Sequence, residues 1–219
     1  MPAASFESVA DRDSGLIRKP LRGAVLLGKY GTAAAITTLV ATGGQINVPT
    51  GYDSVGWIGE DGVTFSKETE TSDVRGWGSA SFLRRDIRSE DRSVQFVALE
   101  TKRLTKELVE GQDLSTNQIS TAGELKIDIP DRPNTVYWRA LIIGQDGSGS
   151  DLFYVGRVYH KVAVTSVDDE TWSDGDDPLT YNITLSAFPD DTLGTLGSDF
   201  LFGPGVLALG TRMGYTLAS

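Results

Sequence analysis

Alternation between apolar and polar residues restricts the fold of this chain more than any other feature of its sequence. Over residues Gly123–Ile129 aliphatic and charged side chains alternate, and Thr180–Ala187 repeats the pattern with uncharged polar residues. A period of two is that of a β-strand with one buried and one hydrated face. Because Gly, Asp, Asn and Pro punctuate further such runs, the sequence predicts a mainly β fold.

Two other runs, Val94–Leu99 and Val136–Ile143, are apolar at most positions. Such runs are typical of central strands that are covered on both faces. The intervening residues Gly144–Asp151 have the Gly, Asp and Ser content of a turn. The sequence therefore predicts a long hairpin made of Thr135–Ile143 and Leu152–Val164.

One segment, Thr101–Gly111, has the period of a helix. It places Leu104 and Leu108 on one stripe, and it offers Thr101 as N-cap and Gly111 as C-terminal stop. We therefore predict one α-helix, at about 101–110, flanking the sheet.

The domain organisation follows from length and composition. A chain of 219 residues can fill one core, and an all-β domain of this size need not be divided. We predict a β-sandwich or barrel-like domain over residues 21–188, after an extended N-terminal arm, 1–20. The C-terminal arm, 189–219, is too apolar to remain in water. We expect it to dock on the same or a neighbouring subunit.

Charge is unevenly distributed along the chain. Thirty acidic residues oppose twenty basic ones, and the formal charge of −10 disfavours general binding to nucleic acid. Basic side chains gather in the middle of the chain, at Arg84, Arg85, Arg88, Arg92, Lys102, Arg103 and Lys106. After Lys161 the only basic residue is Arg212. Taken singly, each charge is explained by a solvated face or loop. The separation of basic and acidic residues along the chain is explained if a basic face of one subunit meets an acidic face of its neighbour.

The chain offers little for catalysis. It has no cysteine, which excludes disulfides, thiolate metal sites and cysteine nucleophiles. A catalytic triad needs an imidazole base, and the single histidine, His160, alternates with valines and is expected to pack on a strand face. A histidine metal cluster needs more than one histidine. We predict that the protein is not an enzyme and has no cofactor.

The acidic stretch Asp168–Asp177 partly matches a calcium-binding loop. Asp174 and Gly175 stand in the expected order, but Trp172 and Tyr181 occupy positions that require oxygen ligands. We expect a solvated acidic loop without a metal.

Neither a signal peptide nor a membrane-spanning helix is expected. Residues 1–15 lack a long apolar stretch, and the most apolar windows are shorter than the ~20 residues of a spanning helix. We therefore expect an intracellular assembly site and no membrane partner.

Residues Asp53–Gly78 resemble the signature stretch of the major tail tube proteins of siphophages, the bacteriophages with long non-contractile tails. The shared features are a Gly-aromatic pair, the turn and strand Glu60–Phe65, and a polar stretch that ends near Trp77. The resemblance continues in order at Arg84–Asp86, Ser93–Glu100, Val155–Tyr159, Tyr181–Asp190 and Phe202–Pro204. It covers most of the chain and departs at the acidic insert Asp168–Asp177.

The resemblance implies a structural virion protein that forms hexameric rings through a β-sandwich with one flanking helix. Stacked rings would build a hollow tube around the tape measure protein and end at the tail terminator and distal tail proteins. Double-stranded DNA would later pass through the bore without specific binding. The implied location is the phage tail, after assembly in the host cytoplasm.

Two groups of residues are candidates for these roles. The stretch Glu60–Gly78 is predicted to be a long hairpin or loop that reaches the adjacent ring, with an ordinary surface loop as the alternative. Its candidate contact residues are Glu60, Asp61, Lys67, Glu68, Glu70, Asp73, Arg75 and Trp77. Because like charge keeps DNA moving, we expect carboxylates to face the bore. The candidates are Glu68, Glu70, Glu124 and Asp128.

Two other functions remain open at this point. A tube subunit of a contractile tail or secretion machine shares the ring architecture but must also bind a sheath. A β-sandwich module that binds a host surface or carbohydrate would need clustered exposed aromatic residues.

Overall fold

A computed structural model describes residues 5–41, 45–132, 134–175 and 178–217, and this part of the chain is mainly β. Its strands are β1 Arg22–Lys29, β2 Asp53–Ser54, β3 Ile58–Arg75, β4 Phe82–Ala98, β5 Tyr137–Asp146, β6 Phe153–Val167, β7 Tyr181–Ala187 and β8 Gly197–Phe202. Its helices are α1 Phe6–Ala10, α2 Arg103–Glu110 and α3 Pro204–Leu209, with 3₁₀ turns at Ser14–Leu16 and Gly149–Asp151.

All the strands belong to one antiparallel sheet with the order β2-β1-β5-β6-β7-β4-β3. The long strand β6 carries β8 along its first half and β7 along its second half. The guanidinium of Arg157 on β6 lies 4.4 Å from the ring centre of Phe65 on β3, although β7 and β4 separate these strands. The sheet is therefore strongly curled, and the prediction of a mainly β, sandwich-like fold is confirmed.

The concave side of the curled sheet holds the main core. Buried side chains from β1, β4, β5, β6 and β7 meet there, and Leu104 and Leu108 of α2 close it. On the other side of β5 and β6, a smaller cluster contains Ile36, Leu39 and Phe202. Strand β5 is thus covered on both faces, as its apolar run predicts. Strand β4 is also internal, but Gln95 on it stays exposed.

The predicted hairpin is confirmed as β5 and β6. Ala140 pairs with Tyr159 and Ile143 with Gly156. The strands continue to Asp146 and Phe153, so the turn begins later than the sequence suggested. Strand β7 also matches its alternating pattern.

The strand predicted at Gly123–Ile129 is wrong. This segment lies in a long connection between α2 and β5 and pairs with no strand in the described part of the chain. Leu125 and Ile129 are 49% and 81% exposed. Alternation defines two faces, but a strand also needs a neighbouring strand edge to pair with its backbone, and the described part of the chain offers none here.

The predicted helix is confirmed with a corrected start. Lys102 is the N-cap residue and makes no side-chain capping bond, whereas the hydroxyl of Thr101 lies 3.2 Å from that of Tyr181. Gly111 ends the helix with a φ of 61°, the left-handed conformation that favours glycine. The short helices α1 and α3 were not predicted.

Within the described residues, no helix combines the length and apolar character needed to cross a membrane.

Candidate assembly surface

The β3–β4 hairpin extends far beyond the rest of the sheet. Strand β4 pairs with β7 only over Ser93–Ala98, whereas β3 and β4 continue together to Arg75 and Phe82. We call residues 66–93 the hairpin arm. A two-stranded ribbon is marginally stable by itself. Such an arm suits contact with another surface.

The candidate contact residues of the sequence are divided between the arm and its root. Glu60 and Asp61 lie at the root, and the others lie on the arm: Lys67, Glu68, Glu70, Asp73, Arg75 and Trp77. The stretch Glu60–Gly78 is therefore a strand and the start of a turn, rather than an irregular loop.

One face of the arm carries cross-strand ion pairs. Lys67 lies 2.8 Å from Glu90, which also contacts Arg92 at 2.8 Å. Closer to the tip, Arg85 makes two bonds to Asp73, of 2.7 and 3.1 Å. The hydrogen bond from Arg85 holds the pKa of Asp73 below its usual value. Exposed pairs contribute little stability. They link side chains across the register in which the two backbones pair.

The opposite face of the arm is acidic. Glu68 and Glu70 share it, because they are two residues apart on β3, and Asp91 lies directly across from Glu68. Like charges in such a pair are unfavourable in a single chain. The acidic residues of this face therefore do not stabilise the hairpin.

The tip of the arm is apolar and basic. Its exposed large side chains are Val74, Trp77, Phe82, Leu83 and Ile87. The ring centre of Phe82 lies 4.5 Å from the guanidinium group of Arg75 and 5.4 Å from that of Arg85. Residues 74–88 contain four arginines and one carboxylate, Asp86. Exposed aromatic and arginine side chains are typical of contact sites between proteins.

The acidic insert lies at the end of the sheet opposite the arm. Ala98, at the root end of β4, pairs with Tyr181, and the insert connects the end of β6 to this residue. The arm leaves from the other end of β4. Asp168, Asp169, Glu170 and Asp174 are exposed there, and Asp176 and Asp177 lie outside the described residues. Among the residues that are described, no group of three potential metal ligands is found.

The four candidate bore-facing carboxylates do not form one group. Glu68 and Glu70 lie on the acidic face of the arm, whereas Glu124 and Asp128 lie in the connection between α2 and β5. Since the strand predicted there does not form, the reason for grouping Glu124 and Asp128 on one hydrated strand face no longer holds.

A buried polar cluster behind β6 was not predicted from the sequence. The carboxylate of Asp190 is fully buried, 3.2 Å from Arg139 Nη1, and accepts bonds from the backbone N–H groups of Thr192 and Leu193. Burial alone would raise the pKa of Asp190, but these N–H groups and then Arg139 lower it. The pKa lies below its usual value. The sequence signal was an aspartate two residues before a Thr-Leu-Gly turn, a spacing that favours bonds from the following backbone N–H groups.

His160 belongs to the same cluster and is buried, as expected for a packed histidine. Its Nε2 lies 3.5 Å from Ser198 Oγ, but its Nδ1 has no hydrogen-bond partner in the described residues. A catalytic triad requires that nitrogen to donate to the carboxylate. Burial, and then Arg139, lower the pKa of His160. The cluster therefore has the arrangement of an internal structural network.

The sheet has free edges at both ends of its strand order. In the described residues β3 pairs only with β4, and β2 covers β1 only at Leu26 and Leu27. Free edges readily pair with another chain unless they are protected, as charge protects part of β3. Two such edges on one subunit allow head-to-tail association.

Comparison with known proteins agrees with this architecture. Residues 10–194 match a family model described as phage tail tube protein. A comparison with curated proteins gives no significant match. Since the family model covers more than half of the sequence, the chain belongs to the phage tail tube protein family.

Proposed function

We propose that this protein is the major tail tube subunit of a long, non-contractile phage tail. It forms hexameric rings that stack into a hollow tube around the tape measure protein. The observation that carries this proposal is the hairpin arm, a charged ribbon with an apolar tip that projects from the sheet of a tail tube family member.

Lateral association is supported by the two free edges of the sheet. Pairing of β3 in one subunit with the β1–β2 side of the next would extend the sheet around a ring. Closure of the ring would remove both edges from solvent.

Stacking is supported by the separation of charge. The arm tip carries arginines, and the opposite end of the sheet carries the acidic insert. An arm that reaches the next ring would bring its basic tip toward acidic groups, as the distribution of charge in the sequence suggested. A contact between two different ends remains open at the last ring and allows further growth.

The acidic face of the arm would line the bore. Glu68, Glu70 and Asp91 would repel the phosphates of passing DNA and keep the DNA from binding. The tail terminator and distal tail proteins would bind the two ends of the tube, where ring surfaces remain uncovered. Assembly would take place in the host cytoplasm.

The test is negative-stain electron microscopy with light scattering across a concentration series. The decisive variant lacks Thr69–Asp73 together with the paired residues Arg85–Glu90, because deletion in one strand alone would disturb the hairpin. We expect hollow tubes from the unaltered protein, and only monomers or single rings from the variant, with the same thermal unfolding. The matched control exchanges Asp73 and Arg85, which preserves length and charge.

If the shortened variant forms tubes like those of the unaltered protein, the arm is not needed for stacking. The larger proposal fails if the unaltered protein forms neither rings nor tubes at any concentration, with or without tape measure protein.

A further inference from the structure

We propose that Gly123–Ile129 becomes a β-strand in the assembled tube by adding to the free edge of β8 in a second copy of the chain. The inference rests on the self-association proposed above. It identifies the donor segment and the acceptor edge of one contact between subunits.

The donor segment has the sequence of a strand but has no strand partner among the described residues. In the described residues, no hydrogen bond involves the backbone N–H groups of residues 125–129. Leu125 and Ile129 are largely exposed, on the same side of the alternation as Ile127. Three aliphatic residues on one face gain most when they are covered by an apolar surface. Strand addition would satisfy the backbone and cover the apolar face together.

The acceptor edge belongs to β8. This strand pairs with β6 on one side, and its other side has no strand partner in the described part of the chain. An apolar groove of about 730 Å³ runs beside it. The groove residues that matter here are Val40, Leu201, Leu207, Met213, Tyr215 and Leu217. Leu201 and Leu207 are 43% and 69% exposed, so exposed apolar surface lies next to the unpaired backbone edge of β8.

The other free edges suit this donor less well. Beyond Ser66, β3 presents the charged and hydroxyl side chains of the arm. Strand β1 is partly covered by β2. The arm tip also exposes aliphatic side chains, at Val74, Leu83 and Ile87, but residues 74–88 carry four arginines, whereas the groove beside β8 is lined mainly by apolar side chains.

A second copy must provide one of the partners. The connection that contains the donor segment is held near the start of β5. Asp113, early in this connection, forms an ion pair with Lys29, and Lys29 pairs with Trp138 near the start of β5. The side chain amides of Gln112 and Asn117 also donate to backbone carbonyls within the segment. Strand β8 lies across β6 from the second half of β5, since it pairs with Tyr154–Tyr159, and these residues pair on their other side with Ala140–Gln145. Donor and acceptor at different ends give a head-to-tail contact.

The test uses a labelled peptide of residues Thr121–Asp131, titrated into full-length protein that carries Ile127→Pro. This receptor keeps β8 intact, and its own segment cannot form a regular strand and compete. The protein is kept at a concentration at which it is monomeric. We expect saturable binding, with hydrogen exchange slowed at the amides of β8.

Two changes should weaken this binding. A peptide with Ile127→Pro loses a backbone donor, and we expect roughly tenfold weaker binding. In the receptor, Leu201→Asp removes apolar surface beside the edge and should have a similar effect. The control Leu83→Asp alters an even more exposed leucine, at the arm tip, and should leave binding unchanged.

The outcomes separate this inference from the proposed function. Absence of saturable binding by the unaltered peptide overturns the inference, whether or not the protein forms tubes. Specific binding by a protein that never forms tubes supports the strand addition and contradicts the tail tube role.

Discussion

At the scale of single residues, the polar cluster behind β6 is the place where a charged side chain is fully buried. Asp190 is a buried carboxylate whose charge is balanced by Arg139 and by two backbone N–H groups. Removal of one partner from a buried ion pair is costly because the other charge stays buried without compensation.

The substitution Asp190→Asn tests this balance. It removes the negative charge while keeping the shape, so Arg139 remains buried as an uncompensated cation. We expect the free energy of unfolding to fall by about 3–5 kcal/mol, measured by urea denaturation. Asp191→Asn changes the adjacent exposed residue and should be nearly neutral. Equal effects of the two substitutions would contradict the structural role of Asp190.

His160 gives the cluster a pH dependence. Its pKa in the folded protein is lowered from 6.5 by burial and by Arg139, so the unfolded chain takes up a proton first as the pH falls. Stability should therefore decrease as the pH falls through about 6.5 toward the folded pKa. Asp190, whose pKa is lowered from 3.8, changes stability only at a lower pH than His160 does.

We expect His160→Gln to flatten the change in unfolding free energy between pH 7.5 and pH 5.5, since glutamine does not titrate. Urea denaturation at both pH values measures it. An unchanged slope in the variant would assign the pH dependence to other groups.

At the scale of elements, α2 and the hairpin arm differ in what holds them. Helix α2 is fixed by Leu104 and Leu108 in the main core and by its glycine stop. The arm is held by its backbone ladder and by exposed ion pairs, and it adds little to the core. Changes to α2 should affect folding, and changes to the arm should affect assembly.

The glycine stop supplies a direct test at this scale. In Gly111→Ala, the alanine backbone must adopt the left-handed conformation, which side chains disfavour. We therefore expect the free energy of unfolding to fall by about 1 kcal/mol. Gly23→Ala is the control, because a Cβ there would lie 3.5 Å from the carbonyl oxygen of Ile143, an ordinary contact. A neutral Gly111→Ala would show that the helix end adjusts without cost.

At the scale of the whole molecule, opposite charge at the two ends of the sheet gives the subunit a direction. Exposed charges more than about 10 Å apart are screened at 0.1 M salt, so the attraction acts mainly during docking. Assembly should therefore become slower and weaker as salt increases, a trend that light scattering can follow.

Charge reversal at the arm tip tests the direction of this contact. We expect Arg84→Glu with Arg88→Glu to raise the concentration needed for tube growth roughly tenfold, because like charges then meet. Adding Asp169→Lys and Asp174→Lys should restore growth. Arg84→Lys with Arg88→Lys keeps the charge and is the control. If the fourfold variant assembles no better than the double variant, the tip meets another surface.

The sequence by itself determined the mainly β class, the β5–β6 hairpin, β7, the body and end of α2, and the packing of His160. These features depend on periodicity, turn residues and glycine conformation, which are local properties. It did not determine how segments distant in the chain pair. Gly123–Ile129 alternates as regularly as β7, yet only β7 lies between two neighbouring strands. Pairing depends on edges supplied by distant parts of the chain, so the tertiary structure alone decided it, as it decided the buried contact between Arg139 and Asp190.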